Sequence, residues 1–224
     1  MESTLHRQLK ELYADDASEI EVRHGDYRID VVSGDELIEI QQSSLSAIRN
    51  KIRTLVEDHA VVVVKPVVRR RLLVKYKRKG GRETDRRYSP KKGNLLDLFS
   101  ELVYFIGVFP HQRLALDVVL IDVEEHRHPR KHKRWNRSAW KVDDQRLIEV
   151  CEIHRLRTPS DLLALVNCDL PSPFHTGDLA KLLDVDRGFA RQIAYCFRNM
   201  GAAEQVGKQG NTLLYELRAT RDAA

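Results

Sequence analysis

The spacing of apolar residues changes period several times along the chain, and each change marks an element. Leu5, Leu9 and Leu12 share one face at helical spacing, which predicts a helix over 3–14. Two short strands follow, Ile20–Arg23 and Tyr27–Val32, turned by His24-Gly25-Asp26. A third strand, Leu37–Gln41, comes after the turn Ser33-Gly34-Asp35-Glu36. From Ser44 to Asp58 an amphipathic helix sets Leu45, Ile48, Ile52, Leu55 and Val56 inward. Ala60–Val64 is almost pure valine, as in a strand covered on both faces. Pro66 interrupts the pattern, and Leu72–Tyr76 reads as a further strand. A long basic loop, Lys77–Gly93, leads to an apolar helix over Asn94–Gly107 and a strand over Leu114–Val123. The order predicts an α/β fold with a mixed sheet flanked by helices.

Asp143–Arg155 reads as a linking helix, after which the pattern becomes helical. A helix over Ser160–Cys168 is opened by Thr158-Pro159; Thr176 caps Gly177–Leu183, and Asp186 caps Arg187–Met200, which Gly201 ends. Ala203–Val206 and Thr212–Leu217 form a hairpin around Gly207–Asn211. Three segments result: a domain over 1–142, the link 143–157, and a second domain over 158–224.

Composition narrows the classes. Hydrophobic residues make up 42% and charged residues 32%, enough for a core and too apolar for wholesale disorder. The longest apolar run is far short of a bilayer span and no signal-peptide core follows Met1, so no membrane partner is expected. Three cysteines lie far apart, which suits a reducing cytoplasm. The net charge of +5 is unevenly spread: Lys65–Lys92 holds 13 Lys/Arg against two acids, and Val123–Lys141 holds seven against two. Two basic segments on an otherwise acidic chain point to a polyanion, DNA before RNA. Lys91 and Lys92, in Tyr88-Ser89-Pro90-Lys91-Lys92-Gly93, are candidates to clasp a phosphate backbone. Trp135 and Trp140 either stack on bases or bury at a domain boundary. A zinc site at His126, His128 and His132 is rejected, because no cysteine is near and the segment is cationic.

The hairpin at 28–41 carries the sharpest chemistry. Gly34 suits a two-residue turn that makes paired residue numbers sum to 69. Ile29, Val31, Ile38 and Ile40 then share one apolar face, and Asp30 stands opposite Glu39 on the other. Opposed like charges destabilise a sheet, so something offsets them. Either a divalent cation bridges them, as hard cations take oxygen ligands, or Arg28 and water neutralise them. Glu2 falls within the apolar stripe of the first helix: either a third acid of the site or an anion favoured by the helix dipole.

Helix 1, Asp30, Glu39-Ile40-Gln41 and the amphipathic helix together resemble the PD-(D/E)xK nuclease superfamily over the first 76 residues. The resemblance implies a restriction-endonuclease-like sheet and Mg²⁺-dependent phosphodiester hydrolysis, with Mn²⁺ as substitute. It implies that Asp30, Glu39 and the Ile40 carbonyl bind the metal; Glu2, as the third acid of the site, would be a further catalytic carboxylate. The superfamily lysine is replaced by Gln41, which cannot accept a proton; Lys51 or Lys65 would be a relocated ammonium. No proline precedes Asp30. The C-terminal order of three helices and a β-ribbon resembles a winged helix-turn-helix. There Phe189, Ile193, Phe197 and Met200 make the core stripe of one helix, while Arg187, Arg191, Tyr195 and Arg198 line its other face. That face, with Lys208 in the wing, would contact DNA; the alternative is packing on protein. The overall expectation is a cytoplasmic DNA nuclease, or else a nuclease-like DNA-binding regulator that does not cut, with homodimerisation left open.

Overall fold

A computed structural model describes residues 2–130 and 139–218. Trp135 and His132 lie outside the described residues. Helix α1, Thr4–Tyr13, is opened by Ser3, whose hydroxyl accepts from the His6 amide. Its buried face is Leu5, Leu9 and Lys10; Leu12, expected inward, is 44% exposed. Ion pairing of Lys10 with Glu21 on the sheet and with Glu2 just before the helix turns α1 toward that residue and rotates Leu12 outward.

Strands β1 (Glu19–His24), β2 (Tyr27–Ser33) and β3 (Glu36–Ile40) form an antiparallel meander. Gly25 and Gly34 take the positive φ that two-residue turns require. Leu45–Ala47 is a 3₁₀ turn leading into α2, Arg49–Leu55, and all five apolar residues expected inward there are buried. Strand β4 runs unbroken from Ala60 to Tyr76, through Pro66. Along one edge of β4 the Gln41 amide donates to the Val64 carbonyl, the Gly93 amide to the Arg69 carbonyl and the Ser89 amide to the Arg71 carbonyl. Pro66 falls between those two stretches, so its missing donor is tolerated there.

The expected loop 77–93 contains a strand, β5 (Glu83–Tyr88), folded back antiparallel on β4. A 3₁₀ turn, Leu95–Leu98, and the one-turn α3, Phe99–Leu102, take the place of the longer helix expected at 94–107. Strand β6, Leu114–Pro129, is buried throughout its first ten residues. The linking helix expected at 143–157 is instead strand β7, Trp140–Leu156. Val142, Ile148, Val150 and Ile153 favour extended backbone, and β6 offers a whole edge to pair with. One seven-stranded sheet results, in the order β1-β2-β3-β4-β6-β7, with β5 also on β4. The protein is α/β.

The remaining elements are α4 (Pro159–Val166), α5 (Thr176–Leu182), α6 (Arg187–Met200) and the hairpin β8 (Ala203–Gln209) and β9 (Thr212–Leu217). Thr158 caps α4 in a reciprocal box with Asp161, and Asp186 caps α6. The cap of α5 is His175, not Thr176, because the His175 Nδ1 accepts the Asp178 amide. Lys208 lies within β8, whose turn is the tighter Gly210-Asn211.

Two compact units share the chain, and neither is contiguous. The first is 1–42, 62–94 and 117–154; the second is 43–61, 95–116 and 155–224. In the first, α1 is tied to β6 by Tyr13–Asp117 (3.0 Å) and to β7 by the Leu147 amide on Gln8 (2.9 Å). In the second, Phe99 of α3 meets Phe197 of α6 edge-on, with ring centres 5.6 Å apart and both rings fully buried. Among the described residues no helix is long and apolar enough to cross a membrane.

Candidate functional site

Pairing of β2 with β3 follows the expected register: Ser33 faces Glu36, Val32 faces Leu37 and Val31 faces Ile38. The paired residues run to Val31 and Ile38, and past them the Ile40 amide donates to the Asp30 carboxylate. On its other side, Ile20↔Val31 and Val22↔Ile29 set Asp30 opposite Glu21 of β1. Glu21 and Asp30 thus stand side by side on neighbouring strands. Glu21 adopts φ 60°, a conformation rare for a residue with a side chain, and its carboxylate reaches Lys10.

Helix α1 answers these two acids with cations. His6 Nε2 lies 3.0 Å from Asp30 Oδ1, and Lys10 Nζ lies 2.8 Å from Glu21 Oε1. Residues four apart on a helix are about 6 Å apart, close to the ~4.8 Å between strands, so one helix face addresses neighbouring strands. Arg28 pairs with Glu21, and His6 is a partner of Asp30. Glu2 joins the cluster: it lies 2.5 Å from Lys10 Nζ and 3.7 Å from His6 Nε2. Asp30 and Glu2 therefore converge on one imidazole.

The Asp30 side chain is 19% exposed and its other oxygen accepts the Ile40 amide at 2.8 Å. Burial alone would raise its pKa, but the His6 and Ile40 bonds together hold it below the usual carboxylate range. The bond to Asp30 raises the His6 pKa against the opposing effect of burial. Burial opposes the charge of Lys10, and Glu2 and Glu21 more than offset it, so its pKa is raised too. Asp30 is an ionised carboxylate at neutral pH, with one hydrogen bond on each oxygen and lone pairs to spare. A donor set of carboxylate oxygens suits a hard divalent cation.

Gln41 is buried, and its amide bonds β4. Lys65, expected at a strand end, is buried mid-strand next to that bond, with Nζ 3.4 Å from the Gln42 carbonyl. Lys51 belongs to the other unit. A second cluster, Asp122, Glu149 and Cys151, holds ligand-type atoms within 4.8 Å of one another. Arg69 grips both Asp122 oxygens at 2.9 and 2.8 Å, so a guanidinium already supplies the positive charge there. That grip lowers the Asp122 pKa and raises that of Arg69. His126 stacks on Tyr76 and accepts or donates at its hydroxyl, a packing role.

On α6, Ile193, Phe197 and Met200 are buried and Arg187, Arg191, Tyr195 and Arg198 are exposed, as the two-faced pattern predicts, but Phe189 of the expected core stripe is only half-buried. Lys91, Lys92 and Lys208 are exposed as well. Trp140 lies under the Lys75 ammonium, 5.3 Å from its ring centre. Sequence pattern alone did not single out His6, Lys10 or Glu21. The signal was present: Glu2, His6 and Lys10 repeat at four-residue spacing beside the Leu5/Leu9 stripe.

No solved structure matches the chain. An uncharacterized protein of Treponema pallidum (strain Nichols) is 31% identical over 216 residues, which cover 96% of this chain and 84% of that protein. Residues 3–157, from the start of α1 to the end of β7, match the family described as Domain of unknown function (DUF8091), and the chain belongs to that family.

Proposed function

We propose that the protein is a cytoplasmic, metal-dependent DNA nuclease of PD-(D/E)xK type, with a restriction-endonuclease-like sheet and a C-terminal winged-helix unit that holds DNA. The observation that supports this reading is the ionised Asp30 carboxylate, which the Ile40 amide fixes at 2.8 Å beside strand β3, where Glu39 lies. Asp30, Glu39 and the Ile40 carbonyl would hold Mg²⁺, or Mn²⁺ in its place. The ion, when bound, acidifies a water and offsets charge on the phosphate. The Ile40 amide fixes the Asp30 carboxylate against the strand, and His6 holds its other oxygen. Gln41 offers an amide that orients but cannot take a proton, and Lys65 and Lys10 are buried ammoniums of the same unit. The exposed arginines of α6 and Lys208 support DNA contact by the second unit, and Lys91 and Lys92 support it in the first.

Incubating purified protein with plasmid and linear DNA under Mg²⁺ or Mn²⁺ tests the reading. Nicking or cutting that Asp30→Ala and Glu39→Ala each abolish, with melting temperature retained, is the expected result. Cleavage unchanged in both variants overturns it. Salt-sensitive DNA binding with no cleavage under either metal favours a non-cutting regulator, a reading that the neutralisation of the acids by His6 and Lys10 already favours.

A further inference from the structure

The β4–β5 hairpin ends in a tight turn in which the Lys77 amide donates to the Arg82 carbonyl and the Gly81 amide to the Arg78 carbonyl. Four cations, Lys77, Arg78, Lys79 and Arg82, are exposed on this tip. The hairpin's two acids are already engaged: Asp85 by Lys75 at 2.6 Å and Glu83 by Arg86 at 3.0 Å. Among the described residues no carboxylate pairs with any of the four tip cations. Below the tip, Arg70 stacks on Tyr88, its guanidinium carbon 4.1 Å from the ring centre. A stacked guanidinium keeps its N–H edges free for phosphate oxygens.

Geometry favours one kind of polyanion. From Val64, where β4 takes the Gln41 amide, to Tyr76 is about 40 Å along the strand at ~3.3 Å per residue. One turn of B-DNA is about 35 Å. A stiff duplex presents phosphates at both ends of that distance without being ordered first. Single strands are held by aromatic platforms, and the one aromatic ring of β5, Tyr88, is already covered by Arg70.

We propose that the β4–β5 tip is a sequence-independent clamp for the phosphate backbone of duplex DNA, reaching the same duplex that the Asp30 site addresses. The clamp rests on the nuclease reading only for that second contact. Its binding is measurable without metal, which separates failure of one from failure of the other.

The test is fluorescence anisotropy of a labelled duplex in EDTA, between about 50 and 200 mM salt. With Lys77→Gln and Lys79→Gln together, the log K against log salt slope falls by about 1.8, and affinity at about 0.1 M salt drops by roughly 60-fold. The pair Lys77→Arg and Lys79→Arg keeps the wild-type slope, which separates charge from folding. Lys181→Gln, an exposed cation on α5, also keeps it. An unchanged slope in the Gln pair overturns the clamp even if the protein cuts DNA. Tighter binding to single strands or RNA than to the duplex overturns it as well. A lost slope in a protein that never cuts sustains the clamp and rejects the nuclease.

Discussion

The contact between His6 and Asp30 makes a measurable statement about stability and pH. Both side chains are largely buried, 21% and 19% exposed, and they meet at 3.0 Å. A hydrogen bond between charged groups contributes about 1.5–3 kcal/mol. Partial exposure puts this one at the lower end, so a double-mutant cycle with His6→Ala and Asp30→Ala yields a coupling of about 2 kcal/mol when both are charged. The folded pKa of His6 is raised from 6.5, so its contribution is complete below that value and fades as pH rises through the folded pKa. Asp30 is lowered from 3.8, so its contribution is complete above that value and fades as pH falls through its folded pKa. Coupling is therefore full between about pH 4.5 and 6. At about pH 9 it declines to a neutral hydrogen bond of about 1 kcal/mol. Urea unfolding of the four proteins at both pH values gives the cycle, and NMR titration of the imidazole gives the His6 midpoint. Equal coupling at the two pH values, or a midpoint at or below 6.5, refutes the charged pair.

Two further outcomes follow from single residues. Burial pushes the Cys196 thiol up to about 12, while Cys151 and Cys168 are raised less and are only half-buried. A thiol reagent should therefore modify two cysteines in the native protein and the third only on unfolding; one common rate for all three contradicts this. Gly201 ends α6 at φ +84°, and a methyl placed on its Cα would meet nothing nearer than Pro159 Cγ at 3.8 Å. Gly201→Ala therefore costs about 1 kcal/mol through backbone strain alone. Gly201→Asn should cost less in denaturant titration, and equal costs would point to a steric cause.

Local chemistry was legible wherever short-range pattern decides structure. Gly34 and the four apolar residues around it specify the β2–β3 register, and Asp186 and Gly201 mark both ends of α6. Two strands escaped for non-local reasons. Tyr88 to Glu83 pairs with β4 only because the hairpin folds back, and 140–156 is extended because β6 provides an edge for it. Neither partner is apparent within a window of a dozen residues. At the site, Asp30 and Glu39 were visible as an acidic pair, whereas Glu21 needed the register of a second hairpin to come beside Asp30. Lys10 was hidden by the rule that lysines face water, which fails when two carboxylates hold one.

The interleaving of the two units bears on how the chain can be handled. It passes between them at 42/43, 61/62, 94/95, 116/117 and 154/155, three times within a continuous strand. A fragment cut at residue 158 would carry Phe197 away from Phe99 and uncover a ring that water does not otherwise reach. Point substitutions, which leave each core whole, are therefore the way to probe either unit, and scission is not.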